Sequence, residues 1–320
     1  NFVLRRHPNW RIEGEPWLAG IDYKLIQDLA AATAAFSADE IDSVSLNNRL
    51  ESDALLDRHG DDINLEENVT ASVWTLQGRA DGAWANPLVR QAVSMGMDRQ
   101  VFIDLMALGD GVISGPVPPP FTAQALGEAE IRDTWGKFDP VAANAALDAA
   151  AFDRSVQYEM KYPLIGELYS QFPQVAAQQL SDNLGLKISV VPEDFGTWLQ
   201  QSLYGSNYNG FMAYPSLAYD DPSSYIGAYA KEIGGRPNWA AFQDDEMDAA
   251  YINQKTLLDD EERFLALLDI QRLAWDKGAP FWPTFVRVTK VAWWNRVQGR
   301  VTGRGSFGAY NGRVYIDENA

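Results

Sequence analysis

The stretch GFMAYPSLAYDDPSSYIGAYA, from Gly210 to Ala230, decides the fold of this chain. Its first part, Phe211 to Tyr214, is apolar and predicts a short β-strand. The pair Asp221-Pro222 predicts the start of a helix, because Asp is a favoured N-cap and Pro fits the first helical position. Open α/β sheets tend to bind ligands where the carboxyl end of a strand leads into a helix. The sequence therefore predicts a ligand site at this strand end.

Strand and helix patterns alternate on both sides of this stretch. Upstream, residues 157–162 and 186–192 predict strands, and residues 168–184 between them predict a helix. Downstream, residues 259–277 predict the best-marked helix, because Asp259 and Glu262 have capping-box spacing. A long strand pattern begins after it at Pro280. This β-α-β-α-β order predicts a sheet covered by helices, in the α/β class.

Composition excludes several classes of partner and chemistry. The 320 residues include 26 Lys and Arg against 44 Asp and Glu, a net charge of −18, which argues against nucleic acid and against an anionic membrane surface. Cysteine is absent, so disulfides, thiolate nucleophiles and Cys-based metal sites are excluded. No window approaches the run of about 20 apolar residues that spans a bilayer. The length is sufficient for two domains.

Catalytic motifs give no positive signal in this sequence. No GxSxG, HExxH, P-loop or GxGxxG pattern occurs, and the two histidines, His7 and His59, lie in unrelated contexts. The sequence therefore predicts no catalytic residue, no metal site and no cofactor. One enzymatic alternative stays open, a glycan- or peptide-processing enzyme that uses Asp220 and Asp221. Adjacent residues in a turn seldom give the opposed carboxylates that such chemistry needs.

Seven separated segments between residue 7 and residue 283 form an ordered set of motifs: HPNWRIEGEPWLAGIDYKLI, AFSADEIDS, NPLVRQAVSMGMDRQVFI, GPVPPPF, VAAQQLSDNLGLKISVVPEDFGTWLQ, AYDDPSSY and FQDDEMDAAYINQKTLLDDEERFLALLDIQRLAWDKGAPFWP. In this order they resemble one family, the ABC transporter extracellular solute-binding protein family 5, which includes peptide-type binding proteins. Each segment alone is a weak signal, and their common order makes the resemblance specific.

The resemblance implies a fold and a division of the chain. It implies an α/β, two-lobe periplasmic binding protein of type II, similar to cluster C, with mixed sheets and helices. We expect residues 1–77 to form part of lobe one, residues 78–284 to form all of lobe two, and residues 285–320 to return to lobe one. Lobe one is expected to be incomplete, because family members are longer at the N-terminus. A hinge is expected near Leu76 and Val286.

The resemblance also implies a function without chemistry. It implies the extracytoplasmic solute-binding component of an ABC importer, a secreted protein or lipoprotein that is periplasmic or extracellular. The expected partners are a small solute, which hinge closure captures, an ABC permease in the membrane, and a separate N-terminal fragment of the same protein. No nucleic acid is expected.

Two departures from the family pattern bear on the ligand. Alignment on Asp221-Pro222 puts Ala218 where peptide binders of the family carry an aspartate that pairs with the ligand ammonium. Burial of an unpaired ammonium is costly. Residues 163–171 also lack the basic residue that holds a dipeptide carboxylate in the family. We therefore expect a longer peptide-like ligand, and an oligosaccharide stacked on aromatic rings stays the alternative, with opines, metal chelates and polyamines behind it.

The ligand-binding residues are predicted by their position around the central strand end. Arg236 and Arg287 are candidates for a ligand carboxylate, and each aromatic residue has a core position as its alternative. The predicted set is Trp10, Phe195, Tyr214, Ser216, Leu217, Ala218, Tyr219, Asp220, Arg236, Trp239 and Arg287.

Overall fold

The computed structural model of the chain describes residues 1–26, 28–46, 48–216, 220–230, 232–233, 236–300 and 311–317. The chain forms two compact units. Unit 1 consists of Asn1–Thr70 and Val288–Ala320, and unit 2 of Ala71–Arg287. The predicted lobe boundaries at residues 77 and 284 remain predictions.

Strands occur along the whole length of the described chain. In chain order they are β1 Phe2–Arg5, β2 Gly20–Tyr23, β3 Ser43–Leu46, β4 Ile63–Gln77, β5 Gly111–Ile113, β6 Gln157–Pro163, β7 Lys187–Glu193, β8 Phe211–Pro215, β9 Glu232–Ile233, β10 Arg236–Pro237, β11 Phe281–Trp294, β12 Val297–Gln298 and β13 Tyr315–Ile316.

The α-helices are interleaved with these strands. They are α1 Leu29–Ser37, α2 Arg49–His59, α3 Pro87–Met95, α4 Arg99–Ala107, α5 Glu128–Asp133, α6 Pro140–Ala149, α7 Glu167–Leu184, α8 Phe195–Thr197, α9 Ser223–Ile226, α10 Asp245–Gln254 and α11 Asp260–Asp276. A π-helical segment, Trp198–Leu203, directly continues α8. Short 3-10 turns lie at Gly60–Asp62, Gly82–Trp84, Gly227–Tyr229 and Asn311–Arg313.

Several helices begin where a capping residue precedes the apolar pattern. The Asp259 side chain accepts a hydrogen bond from the backbone N–H of Glu262 at the start of α11. At the start of α3 the side chain of Asn86 accepts from the N–H of Leu88, and Pro87 occupies the first helical position. These contacts satisfy N–H groups that have no partner within the helix. Local sequence therefore fixes where these elements begin.

Unit 1 has its own small core. Strands β1 and β2 form an antiparallel ribbon, and β3 pairs antiparallel with residues 290–293 of β11. The indole of Trp294 stacks on Phe36, with ring centroids 4.8 Å apart. The buried residues of this core are Ala32, Phe36, Val44, Leu46, Leu55, Ile63 and Ala292. Helix α1 contributes the first two of them.

Unit 2 is built on a mixed sheet. Strand β6 pairs in parallel with β7 along its whole length and with β8 at Met160↔Phe211. On its other side β8 pairs antiparallel with residues 74–77 of β4. Strand β5 pairs antiparallel with residues 285–287 of β11. Helix α7 connects β6 to β7, so these elements form a β-α-β unit of the kind that covers a parallel sheet.

The helix after β8 differs in detail from the prediction. We predicted that Asp221 caps a helix with Pro222 in its first turn. The helix α9 begins one residue later, at Ser223, and has a single turn. The Asp221 carboxylate nevertheless accepts a hydrogen bond from the N–H of Ser223 at 2.8 Å. The capping interaction is therefore present, and only the boundary moves.

Two arginines of the family segment NPLVRQAVSMGMDRQVFI, Arg90 and Arg99, are buried in unit 2. The Arg90 guanidinium donates to the carbonyls of Trp84 and Ala85 before α3, and to those of Lys277 and Gly278 after α11. Burial lowers the pKa of Arg90 to about 10. The Arg99 guanidinium donates to the carbonyls of Ser94 and Met97, and burial lowers its pKa to about 9. This motif therefore ties helix ends together.

Candidate functional site

The parallel strands β6, β7 and β8 end at one edge of the unit 2 sheet. Pro163 of β6 lies level with Glu193 of β7, and the N–H of Leu164 continues the ladder by donating to the Glu193 carbonyl at 2.8 Å. The register of β6 with β8 places Lys161 level with Met212, so Pro163 comes level with Tyr214. We call residues 164–167, 194–196 and 214–216, with Asp220, the carboxyl edge. Ligands of open α/β sheets bind at such edges.

A chain of buried hydrogen bonds fixes Tyr214 at this edge. Its hydroxyl donates to Oε1 of Gln77 at 2.6 Å. The Nε2 amide of Gln77 donates to the hydroxyl of Tyr208 at 2.8 Å, and that hydroxyl donates to the Gly78 carbonyl at 2.9 Å. Gln77 is fully buried, and burial raises the pKa of Tyr208. The Tyr214 ring is therefore held in one orientation before any ligand arrives.

Ser216 extends the pairing of β8 with β4 beyond the strand itself. Its N–H donates to the Val73 carbonyl at 2.7 Å, and its Oγ accepts from the N–H of Val73 at 3.0 Å. The hydroxyl of Ser72 donates to the Ser216 carbonyl at 2.5 Å. The position of the Ser216 hydroxyl is thus fixed by its contact with the sheet.

Four aromatic side chains form a connected cluster beside Tyr214. Phe195 stacks on Trp198 with ring centroids 6.2 Å apart, and Trp198 meets Tyr214 edge to face at 5.3 Å. Trp239 packs against the same core, and its ring lies 5.3 Å from that of Tyr204. Trp198 is buried, whereas half of Phe195 is exposed. Phe195 thus presents an exposed ring on a buried support.

Two indole N–H groups in this cluster have no acceptor among the described residues. They are Nε1 of Trp198 and Nε1 of Trp239, and both atoms are inaccessible to solvent. A buried donor without a partner costs about 1–3 kcal/mol. These two indoles therefore differ from that of Trp282, whose Nε1 donates to the Arg90 carbonyl at 3.0 Å.

A buried ion pair lies just behind the carboxyl edge. Nζ of Lys161 lies 3.2 Å from Oε1 of Glu193 and donates to the Asn207 carbonyl at 2.8 Å. The hydroxyl of Ser202 donates to Oε2 of Glu193 at 2.6 Å. Lys161 is almost completely buried, so these contacts offset the desolvation of its charge. Its ammonium is engaged within the protein by these partners.

The structure brings together some of the predicted ligand residues. Phe195, Tyr214 and Trp239 share one cluster, and Ser216 follows Tyr214 at the end of β8. Asp220 is exposed. Leu217, Ala218 and Tyr219 lie outside the described residues. Arg236 is described as part of β10 but its side chain is not.

The other two predicted residues lie elsewhere in the chain. Trp10 belongs to unit 1 and is exposed. Arg287 is the last residue of unit 2, where it is half-buried in β11 and pairs with Gly111 of β5. Neither is part of the aromatic cluster beside Tyr214.

Sequence reasoning missed three parts of this arrangement. Trp198 follows Phe195 by three residues, and this helical spacing could have indicated a shared face. Lys161 interrupts the apolar strand YEMKYP, and a lysine in such a position signals a buried partner. The third part, Gln77 as the link to Tyr214, had no signal in the sequence, because the two residues are 137 positions apart.

The neighbouring Asp221 is occupied by a structural contact. Nη2 of Arg263 lies 2.9 Å from both carboxylate oxygens of Asp221. Partial burial acts to raise the pKa of Asp221, but the hydrogen bonds from Ser223 and Arg263 outweigh it and hold the pKa below its usual value. A carboxylate paired in this way is a poor general acid. The geometry therefore gives no support to the enzymatic alternative.

Two other features are absent from the part of the chain that the structure describes. This part contains no group of three or more His, Asp or Glu side chains that could hold a metal ion. Within the same described ranges, no helix is long and apolar enough to cross a bilayer.

The fold defines an α/β protein built on a mixed sheet with interleaved helices. The family model for bacterial extracellular solute-binding proteins, family 5 Middle, matches residues 1–235. This chain belongs to that family, as the seven ordered segments predicted. No curated protein matches the sequence.

Solved structures show the same fold. The ABC transporter substrate-binding protein CtaP from Listeria monocytogenes is 17% identical, with a TM-score of 0.78, and the match covers 98% of this chain and 63% of that one. AgaA from A. tumefaciens R10, solved with agropinic acid, is 17% identical with a TM-score of 0.79, and the match covers 99% of this chain and 64% of that one. DppA from Helicobacter pylori, an ABC transporter-associated periplasmic binding protein solved with the peptide STSA, is 17% identical with a TM-score of 0.76, and the match covers 99% of this chain and 60% of that one.

These matches confirm the predicted fold class, an α/β periplasmic binding protein with mixed sheets. The chain spans about three-fifths of the length of the solved chains it matches. At these identities the likeness establishes the fold and leaves the ligand to be argued from the site.

Proposed function

We propose that this chain acts as the extracytoplasmic solute-binding component of an ABC importer and that its carboxyl edge holds a peptide-like ligand. One observation carries the proposal. An exposed aromatic ring, Phe195, stands on a fixed aromatic cluster at the carboxyl ends of three parallel strands, within the residues that the family model matches. Ligand sites of this kind combine apolar walls with a few fixed polar groups.

Each group of the carboxyl edge has a defined role in this proposal. Phe195 contacts an apolar part of the ligand. Tyr214, held by Gln77, forms a rigid wall. The hydroxyl of Ser216 donates to a ligand carbonyl, and the exposed carboxylate of Asp220 faces a ligand cation. A rigid wall favours affinity because little side-chain freedom is lost on binding.

A peptide-like ligand is favoured over an oligosaccharide. The fixed carbonyl and hydroxyl groups of the β8 end suit the amide groups of a peptide. DppA from Helicobacter pylori, which shares the fold, was solved with a peptide. AgaA was solved with agropinic acid, so the fold also accepts a different small solute. Stacking on Phe195 is the feature that an oligosaccharide would use.

Capture is proposed to occur by closure of two lobes. The chain passes between the units at Thr70–Ala71 and at Arg287–Val288, which lie within β4 and β11. A ligand shifts the population toward a closed state only by the difference between its affinities for the two states. The loaded protein then delivers its ligand unchanged to a membrane permease. A separate N-terminal fragment of the same protein is proposed as a further partner.

Thermal stability in the presence of candidate ligands tests the proposed function. A ligand at about 100 times its Kd stabilises the folded state by about 2.7 kcal/mol, which raises the Tm by several degrees. We expect this shift with four-residue peptides that carry apolar side chains, and a much smaller one in the Phe195→Ala variant. The matched control is Val141→Ala, because Val141 is 82% exposed on α6 of the same unit. Stabilisation by oligosaccharides alone would replace the peptide proposal.

Labelling tests lobe closure directly, because the chain contains no native cysteine. Leu50 in unit 1 and Leu105 in unit 2 are both well exposed. Donor and acceptor dyes on the Leu50→Cys/Leu105→Cys variant should change their energy-transfer efficiency when a stabilising ligand is added. A constant efficiency at saturation would contradict closure and leave ligand binding itself intact.

A further inference from the structure

The carboxyl edge exposes more apolar side chains than the Phe195 ring on which the proposed function rests. Three large apolar side chains in two of its loops are exposed: Leu164 is 58%, Ile165 49% and Phe195 49% accessible. Leu164 and Ile165 follow β6, and Phe195 follows β7. Exposed large apolar groups that share one edge of a sheet are more informative than scattered ones.

These side chains stand on an ordered backbone. The N–H of Leu164 donates to the Glu193 carbonyl at 2.8 Å, and that of Ile165 to the Pro163 carbonyl at 3.0 Å. Phe195 stacks on the buried ring of Trp198. Their exposure is therefore a fixed property of the edge, which we call the apolar lip, defined by Leu164, Ile165 and Phe195.

The charged residues within the loops after β6, β7 and β8 have one sign. The loops after β6, β7 and β8, residues 164–167, 194–196 and 216–221, contain no Lys or Arg and four acidic residues. One of the four, Asp221, is paired with Arg263. The other three, Glu167, Asp194 and Asp220, are exposed. Lys161, the basic residue nearest in the strands, is buried against Glu193.

The opposite ends of the same strands differ in charge. There Arg154 lies before β6, where its Nη1 is 2.7 Å from the Asp148 carboxylate, and Lys187 is the first residue of β7. Acidic and basic groups therefore mix at the amino ends of the strands, whereas only acidic groups are exposed in the loops at the carboxyl ends. The net charge of the whole chain, −18, also favours a cationic ligand.

We infer that the solute class of this protein is a cationic peptide with apolar side chains, bound with an apolar side chain against Leu164, Ile165 and Phe195 and its positive charge beside Glu167, Asp194 and Asp220. The inference deepens the proposed function and rests on it. Charge complementarity sets the preference for a cation, since fields of one sign at a cleft raise the local concentration of the opposite charge. The apolar lip sets the preference for Leu or Phe side chains, which lose exposed area on binding.

Calorimetric titration of the whole chain with three matched peptides tests this inference. The probes are Lys-Leu-Phe-Leu, Glu-Leu-Phe-Leu and Lys-Ser-Asn-Ser. We expect the first to bind at least about tenfold more tightly than either of the others at low salt. The advantage over Glu-Leu-Phe-Leu should shrink at about 0.5 M NaCl, where charges are screened within a few ångströms.

Variants separate the apolar lip from the acidic groups. Leu164→Ala and Phe195→Ala should each weaken Lys-Leu-Phe-Leu about five- to tenfold. Both should leave Lys-Ser-Asn-Ser within about twofold, as should the exposed control Val141→Ala for both peptides. Because Leu164 is not part of the Phe195–Trp198 stack, weaker binding by Leu164→Ala cannot result from a disturbed stack. The double variant Glu167→Gln/Asp220→Asn should reduce the Lys-over-Glu preference and leave the dependence on Phe195 intact.

The outcomes distinguish the inference from the proposed function. Equal or tighter binding of Glu-Leu-Phe-Leu would overturn the charge preference, and binding unaffected by Leu164→Ala and Phe195→Ala would overturn the role of the apolar lip. In the first case the proposed function would stand. In the second case peptide binding by the chain would stand, but the contact between the ligand and the Phe195 ring would be wrong. If no peptide bound while an oligosaccharide raised the Tm, the proposed function and the inference would fail together.

Discussion

Two regions of unit 2 are equally conspicuous in the sequence and use their side chains in opposite ways. The α3–α4 region, NPLVRQAVSMGMDRQVFI, buries Arg90 and Arg99 and engages them with backbone carbonyls. The carboxyl edge keeps Phe195 and Leu164 exposed on an ordered backbone. The first region uses its polar contacts to join helix ends, whereas the second leaves large apolar side chains exposed.

The difference shows that a specific motif need not be a functional one. A buried arginine that donates to several carbonyls is costly to change, which is enough to explain a recognisable motif. The carboxyl edge carries exposed apolar side chains, whose substitution usually costs little stability. The comparison therefore predicts large stability effects and no ligand effects in the α3–α4 region, and the reverse at the carboxyl edge.

The largest expected effect is that of Arg90→Met. The substitution keeps most of the apolar stem but leaves the carbonyls of Trp84, Ala85 and Lys277 without this donor. We expect a loss of about 3–5 kcal/mol in the free energy of unfolding. Urea denaturation measures it. The control Arg132→Met, which removes an exposed ion pair with Glu128, should cost no more than about 0.5 kcal/mol. Similar losses for both would break the comparison.

An intermediate effect distinguishes two buried tryptophans. Trp282→Phe leaves the Arg90 carbonyl without the hydrogen bond it accepts from the indole, whereas Trp198→Phe removes an N–H that has no acceptor among the described residues. Both lose similar packing. We expect Trp282→Phe to cost more by about 1–2 kcal/mol in urea denaturation. An equal cost would mean that the Trp198 indole is satisfied, and that the cluster at the carboxyl edge is as complete as the core.

The smallest expected effect is a pH dependence from Asp221. Its pKa is held below the usual value in the folded state, so the pairing with Arg263 stabilises the fold at neutral pH. This contribution is lost as the pH falls below about 4, where the unfolded carboxyl takes up its proton. Because half of the side chain is exposed, we expect roughly 0.5 kcal/mol. Asp221→Asn and Arg263→Gln should each reduce the loss of unfolding free energy that occurs as the pH falls below about 4. An unchanged loss in both variants would contradict the pairing.

The sequence predicted the fold well because local patterns determine it. Two helices begin directly after their capping residues, Asn86 and Asp259. Helix α7 ends at Gly185, whose φ is +68°. All three are local signals that can be seen in the sequence. The alternation of strands and helices around α7 likewise predicted the β-α-β order. Family membership followed from the same local segments, because their order along the chain is part of the sequence itself.

The site was only partly accessible from the sequence. Phe195, Tyr214 and Trp239 were predicted and share one cluster. The contacts that fix them join residues far apart in the chain, such as Gln77 with Tyr214, and no local pattern reports such pairs. The apolar lip was missed for another reason. The family pattern after β6 directed attention to a basic residue, and exposure of Leu164 could not be known before the loop was placed on the sheet.

The most direct test of the central claim is fluorine NMR of the chain labelled with 5-fluorotryptophan. The chain has 11 Trp residues, and single Trp→Phe substitutions assign the resonances of Trp198, Trp239 and Trp282. If the ligand binds at the carboxyl edge of unit 2, saturation with a stabilising peptide shifts the resonances of Trp198 and Trp239 and leaves that of Trp282 in place. Resonances of Trp198 and Trp239 that stay unchanged at saturation would show that the ligand binds elsewhere.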